Sequence, residues 1–430
     1  MEYDVEHDKE VIKILNNPNL SKQTKETYKK DIRYFCKIIG KPYHQIIDEI
    51  KKQQYDKIDE NNRIIRYNPN EGLVNEYLMG YLDYSRGKGN KESTLSIKEK
   101  HIRTVFNKSG IILPDIQIKH NNTKKKKNIL TKDDIRYVIS KSNIHHKSVI
   151  AFASCTGLRV ADLCKLTIED YMEATRGQHN CFTVEEFIET APYDMIGFFE
   201  IIPQKTEKMD LECRVCNTPE SNNYILDSLV ERQDLLKEKG LKLEYDDALF
   251  SSRKGGYKKP YKESSLSSIL SRKNKILKDY KTKILKNQFN NHEISRKEYN
   301  QKLKKLPKFH AHALRHFFIT TVRAYTTNRD VSLIMEAHTS PYKMDAPYVG
   351  KNEDMFSDEV IIKTYKSIIP YLTFDLKMDA EEYLLLRETR QQYKEQLEKN
   401  KELESKYNEL SGLVENMLKV EDTSAWRKLE

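Results

Sequence analysis

The chain has 430 residues, 38% hydrophobic and 33% charged, which is enough for two or three domains with a highly charged surface. Its net charge of +10 and pI near 8.9 point to a polyanionic partner or an acidic surface. No apolar run approaches the ~20 residues of a membrane span. The stretch Met1–Asp8 has no basic region followed by an apolar core, and six cysteines in so long a chain do not make a disulfide framework, so the expected setting is a reducing cytoplasm.

Residues 1–118 read as a small helical bundle. Tyr28, Ile32 and Phe35 fall at helical spacing with Lys and Arg on the other faces, and Ser21 suits an N-cap. A second helix begins at Leu73, with Val74, Tyr77, Leu78, Tyr81 and Leu82 as its apolar stripe. A third begins near Ser93 and carries Leu95, Ile102, Val105 and Phe106. The basic faces suit either solvent or a DNA backbone. Residues 119–131 are polar and aperiodic, and Lys124, Lys125, Lys126 and Lys127 make them the best domain boundary in the chain. Those lysines are either merely solvated or follow phosphates as part of a clamp.

Residues 132–375 carry the chemistry. Thr131 with Asp134 three residues on predicts a capped helix start. The apolar run from Val149 stops at Thr156-Gly157, and a new helix is expected at Arg159, whose guanidinium would project from the turn with Asp162 one turn on to hold it. Ile196–Pro203 is rich in β-formers and Cys213–Cys216 reads as the return strand, which sets Lys205 at the tip of a hairpin. Phe309–Phe318 opens an apolar helix in which His312 and Arg315 lie three apart and share a face, a pairing suited to an oxyanion such as phosphate. A further helix ends near His338, and a loop with two prolines leads to Tyr348.

Two other features stand beside these. From Arg253 to Lys308 there are 18 Lys and Arg against 4 Asp and Glu, a net of +14, larger than the charge of the whole chain. Arg253, Lys254, Lys258 and Lys259 open this basic insert (about 253–308), and such a concentration beside a phosphate site suits DNA. Cys213-x-x-Cys216 with His179 and Cys181 invites a zinc reading, but positions three apart on a strand face opposite sides, and His-x-Cys is not a usual zinc spacing. Structural cysteines are expected. Residues 376–430 form a tail with no proline and one glycine between 380 and 420. There Leu403, Tyr407, Leu410, Val414 and Met417 keep a 3–4 spacing, so a long helix is expected. It would be a short coiled coil or a helix docking on a neighbouring protomer.

The order Thr156-Gly157-Leu158-Arg159, Lys205-Thr206, His312-x-x-Arg315, His338, Tyr348 resembles the tyrosine recombinase (phage integrase) family, and the extension past the tyrosine is most like archaeal members. The resemblance implies a mainly α fold with a small β-sheet. It would consist of an N-terminal helical core-binding (SAM-like) domain, a tyrosine-recombinase catalytic domain of the DNA breaking-rejoining enzyme fold, and a long C-terminal helix. It implies a site-specific recombinase acting on paired double-stranded DNA sites as a homo-tetramer, through a 3′-phosphotyrosyl intermediate, with no metal or nucleotide cofactor and no membrane. By the same resemblance Arg159 and Arg315 grip one phosphate, Tyr348 attacks it, His312 handles the tyrosine proton, Lys205 protonates the leaving 5′-oxygen, and His338 binds the same phosphate. Asp162 stands where the family usually has Glu, no glycine precedes His338, and the gap from His338 to Tyr348 is one residue longer than is usual in the family; Tyr342 is the competing nucleophile. A type IB topoisomerase-like nicking and rejoining enzyme and a catalytically weak or inactive DNA-binding relative are the rival readings.

Overall fold

The structure is a computed structural model. It describes residues 4–58, 60–115, 128–204, 213–336 and 357–374, together with 396, 399–400, 402–408 and 410–411 of the tail. The chain divides into two compact units, Met1–Lys126 and Lys127–Glu430. It is mainly helical, with two small antiparallel two-stranded sheets among the described residues.

The first unit runs α1 (Lys9–Leu15), α2 (Lys22–Ile39), α3 (Tyr43–Gln53), β1 (Lys57–Ile58), β2 (Ile64–Ile65), α4 (Leu73–Gly87) and α5 (Glu92–Lys108). Ser21 caps α2 by accepting from the Thr24 amide, and Gly40 closes it in the left-handed region. Tyr28, Ile32, Phe35, Tyr81, Ile102 and Phe106 meet in one core, where Phe35 lies edge-on to Tyr81 and Phe106. The expectation of an all-helical bundle needs one correction. Ile58 pairs with Ile64 and Lys57 with Ile65 in a short hairpin. Its turn places Asn62 at φ 60°, which asparagine tolerates, and β-branched isoleucines favour the extended backbone.

The second unit begins with α6 (Lys132–Ser140), whose capping box joins Thr131 and Asp134. Then follow α7 (Ile144–Thr156), α8 (Val160–Leu163), α9 (Ile168–Thr175), α10 (Val184–Thr190), β3 (Phe198–Ile201), β4 (Cys213–Cys216) and α11 (Pro219–Lys237). The chain continues through α12 (Glu263–Arg272), α13 (Asn274–Asn290), α14 (Arg296–Lys304), α15 (Ala311–Tyr325), α16 (Arg329–Glu336) and α17 (Asp358–Leu372). Helix α7 is the centre of the unit. Every residue from Ser148 to Thr156 is buried, so it reads as apolar all round rather than amphipathic. Strands β3 and β4 pair with Phe198 opposite Cys216 and Ile201 opposite Cys213. Both cysteines are buried free thiols, and burial pushes the Cys216 thiol up to about 12. Among the described residues no helix is long and apolar enough to cross a membrane.

Candidate active site

The site is built where α7 stops. Gly157 takes φ 63° and its amide donates to Ala153 O, a left-handed cap that only glycine adopts cheaply. A Cβ at this position would run into the ring of Phe318 on α15, so the close approach of the two helices also needs glycine. The turn leaves Arg159 extended, at φ −75° and ψ 155°, just ahead of α8. The sequence reading gave this helix a dipole that favours an anion. Helix α8 has only four residues, so the anion would be held by the side chains and not by a macrodipole.

Arg315 comes to the same place from α15. It is buried, yet its guanidinium forms no ion pair with a carboxylate among the described residues. Nη1 donates to Gly157 O at 2.6 Å and Nη2 donates to Glu336 O. Two main-chain carbonyls thus orient the fork without neutralising it. Burial first, and then the positive charge of Arg159, lower the Arg315 pKa to about 10. Arg159 has a buried Nη1 with no hydrogen-bond partner among the described residues. Arg159, Arg315, His310 and His312 line one cleft of about 360 Å³, with Ser267 and Ser271 of α12 on its far wall. His312 is exposed, with its ring 5.4 Å from that of His316. Two like charges in one partly dry cleft repel each other at a cost that a bound oxyanion would offset.

Asp162 takes a different part from the one its position suggested. It is buried, and its Oδ1 accepts from the Gln204 amide at 3.0 Å, while Oδ2 has no hydrogen-bond partner among the described residues. It fastens the end of strand β3 to α8 rather than gripping the Arg159 guanidinium. Gln204 is the last described residue before Lys205. An ion pair stiffens the exit of α16. The fully buried Glu336 carboxylate receives Arg323 Nε at 2.8 Å and Nη2 at 2.5 Å. Lys205, His338, Tyr348, Tyr342 and Lys124–Lys127 lie outside the described residues.

A larger cleft of about 530 Å³ lies beside β3, but Asp162, Asp170, Glu173 and Glu200 line it with a single lysine, Lys165. Its charge is wrong for phosphate. Sequence reasoning passed over His310, Ser267 and Ser271. His310 showed one signal: it precedes the first helical residue and accepts from the Ala313 amide as an N-cap. The two serines lie on a separate helix, with no motif to mark them.

No family model matches the sequence, and no curated protein matches it. Among solved structures the chain is similar to the XerA recombinase, at 14% identity and TM-score 0.32, over 90% of this chain and 98% of that one. It is similar to the Tn1549 transposon integrase in complex with transposon right end DNA, at 14% identity and TM-score 0.45, over 82% and 97%. It is also similar to a lambda integrase dimer bound to a core site, at 12% identity and TM-score 0.42, over 76% and 89%. At these scores the reading of the site rests on its own residues.

Proposed function

We propose that this chain is a site-specific DNA recombinase of the tyrosine type, and that the cleft between α8 and α15 holds the scissile phosphate. The observation that carries the reading is the pair Arg159 and Arg315, two guanidiniums converging on one cleft with neither hydrogen-bonded to a carboxylate among the described residues. Arg315 is preset by backbone carbonyls, and the cleft-facing part of Arg159 stays available to non-bridging oxygens.

In the proposed step the Tyr348 oxygen forms a bond to phosphorus and the bond from phosphorus to the 5′-oxygen breaks. The tyrosine proton passes to His312, and the leaving 5′-oxygen takes a proton from Lys205. The product is a 3′-phosphotyrosyl linkage and a free 5′-hydroxyl. Rejoining reverses the step with a 5′-hydroxyl from a partner strand, so the energy of the broken bond is kept and no nucleotide is consumed. His338 adds a donor to the same phosphate. The residues before Lys127 and the basic insert would bind the duplex backbone, and paired sites would assemble four protomers.

The test uses a nicked suicide duplex drawn from DNA flanking the gene. Wild-type protein, incubated with it in EDTA, is expected to give a covalent protein–DNA band on a denaturing gel. Arg159→Ala and Arg315→Ala should reduce that band at least 100-fold, the scale seen when one oxyanion donor is removed. Binding without any covalent band from the wild type would replace the enzyme reading with that of a DNA-binding protein.

A further inference from the structure

Helices α13 and α14 form a hairpin that contributes little to the core. Only Leu277 and Leu285 are buried on α13, and no residue is buried on α14. Yet the hairpin is fixed at its base. Tyr280 stacks on Tyr137 of α6 at 3.7 Å between ring centroids, and Lys281 pairs with the buried Asp134. The Phe309 amide donates to Asn274 Oδ1 at 2.8 Å, which ties the two ends of the hairpin segment together. That tie lies one residue before His310, on the wall of the cleft, and α12, which supplies Ser267 and Ser271 to the same cleft, leads directly into α13.

The hairpin's charge is one-sided. Residues 274–308 hold eleven Lys and Arg against three Asp and Glu. Lys275, Lys278, Lys283 and Lys286 are exposed and take part in no ion pair among the described residues. At 3.6 residues per turn they fall in one arc of about 140°, roughly opposite Leu277, and they span about 16 Å of axis. Cations three residues apart on a helix repel, and the exposed Asp279, four residues from both Lys275 and Lys283, sets one carboxylate against four lysines on this face. A duplex carries one negative charge per ~1.7 Å of its axis, so that length of helix can meet several phosphates.

We infer that the α13–α14 hairpin is a DNA-backbone arm, anchored at the rim of the phosphate cleft, which holds the duplex flanking the cleaved site. The inference rests on the recombinase reading. The arm reads charge and not sequence, since lysines contacting phosphate position a duplex without specifying it.

The test compares wild type with the fourfold variant Lys275→Gln, Lys278→Gln, Lys283→Gln, Lys286→Gln, and with the fourfold Lys→Arg counterpart. Affinity for a fluorescent duplex is measured from 50 to 200 mM salt, and covalent band formation on the suicide duplex is scored in parallel. The Gln variant should bind more weakly, with a log–log salt slope shallower by about 2 or more, since each lost phosphate contact removes about 0.9. The Arg variant should match wild type. Unchanged slope and affinity in the Gln variant, with the wild-type band intact, would overturn the arm alone. No DNA binding and no band from wild type would overturn the recombinase reading and the arm with it.

Discussion

Arg159 and Arg315 line the same cleft but are held in opposite ways, and this difference can be measured. Arg315 satisfies Gly157 O and Glu336 O from a buried position, whereas Arg159 has a buried donor with no partner among the described residues. Arg315→Gln should therefore destabilise the fold, by about 1–3 kcal/mol for each buried carbonyl left unpaired. Arg159→Gln should leave the unfolding midpoint unchanged or raise it, because it removes a repelling charge from beside Arg315. Chemical denaturation of the two variants checks both. Equal destabilisation would mean that Arg159 is structurally committed and not held ready for a ligand. Gly157→Ala should cost about 1–3 kcal/mol through overlap with Phe318. It should also lower covalent band formation, since Gly157 O orients Arg315. A variant that kept full activity would show that the carbonyl contact is dispensable.

At the scale of elements, α7 and the junction of α12 with α13 are linked electrostatically. Burial, with the charges of Lys273, His145 and Arg272 around it, pushes His146 down to about 4. Its folded value lies below the ordinary value of about 6.5, so His146 is neutral in the native state and gains a proton on unfolding. The stability this brings is full above pH 6.5 and is lost as pH falls from 6.5 toward 4. His146→Gln should flatten that part of a pH series of thermal midpoints, and an unchanged slope would assign it to other groups.

The same elements show what a sequence can reveal. The Thr131–Asp134 cap, the Gly157 break and the β3–β4 pairing each have local signals that act over a few residues: a capping spacing, a left-handed position, a run of β-formers. The partners of Arg315 were not legible, because they are main-chain carbonyls 158 and 21 residues away and any residue type can supply one. The link from Asp162 to Gln204 was hidden for the same reason. Hairpin β1–β2 was missed because two strands of two residues each leave almost no period to detect.

For the whole molecule, charge and exposed apolar surface point in different directions. The net charge is +10 while residues 253–308 carry +14, so the rest of the chain is mildly acidic and the basic field is local. In the tail, Leu403, Tyr407 and Leu410 are exposed by 63%, 73% and 62% in a stripe at helical spacing. Such a stripe on a chain of net positive charge fits a protein surface better than a nucleic acid. Leu403→Asp with Leu410→Asp should reduce self-association on DNA by sedimentation while leaving the affinity of a single protomer for one site intact. Unchanged assembly would remove the tail from the interface.

The central claim is that phosphate gripped by Arg159 and Arg315 is attacked by a tyrosine of this chain, and the most direct measurement is to find that tyrosine. The covalent adduct on a suicide duplex would be digested and the DNA-bearing peptide sequenced by mass spectrometry, with Tyr348→Phe and Tyr342→Phe run alongside. The account predicts the adduct on Tyr348 and its loss only in Tyr348→Phe. An adduct on Tyr342, lost only in Tyr342→Phe, would keep the chemistry and overturn the assignment. An adduct on neither, from a wild-type protein that binds the duplex tightly, would contradict the account itself.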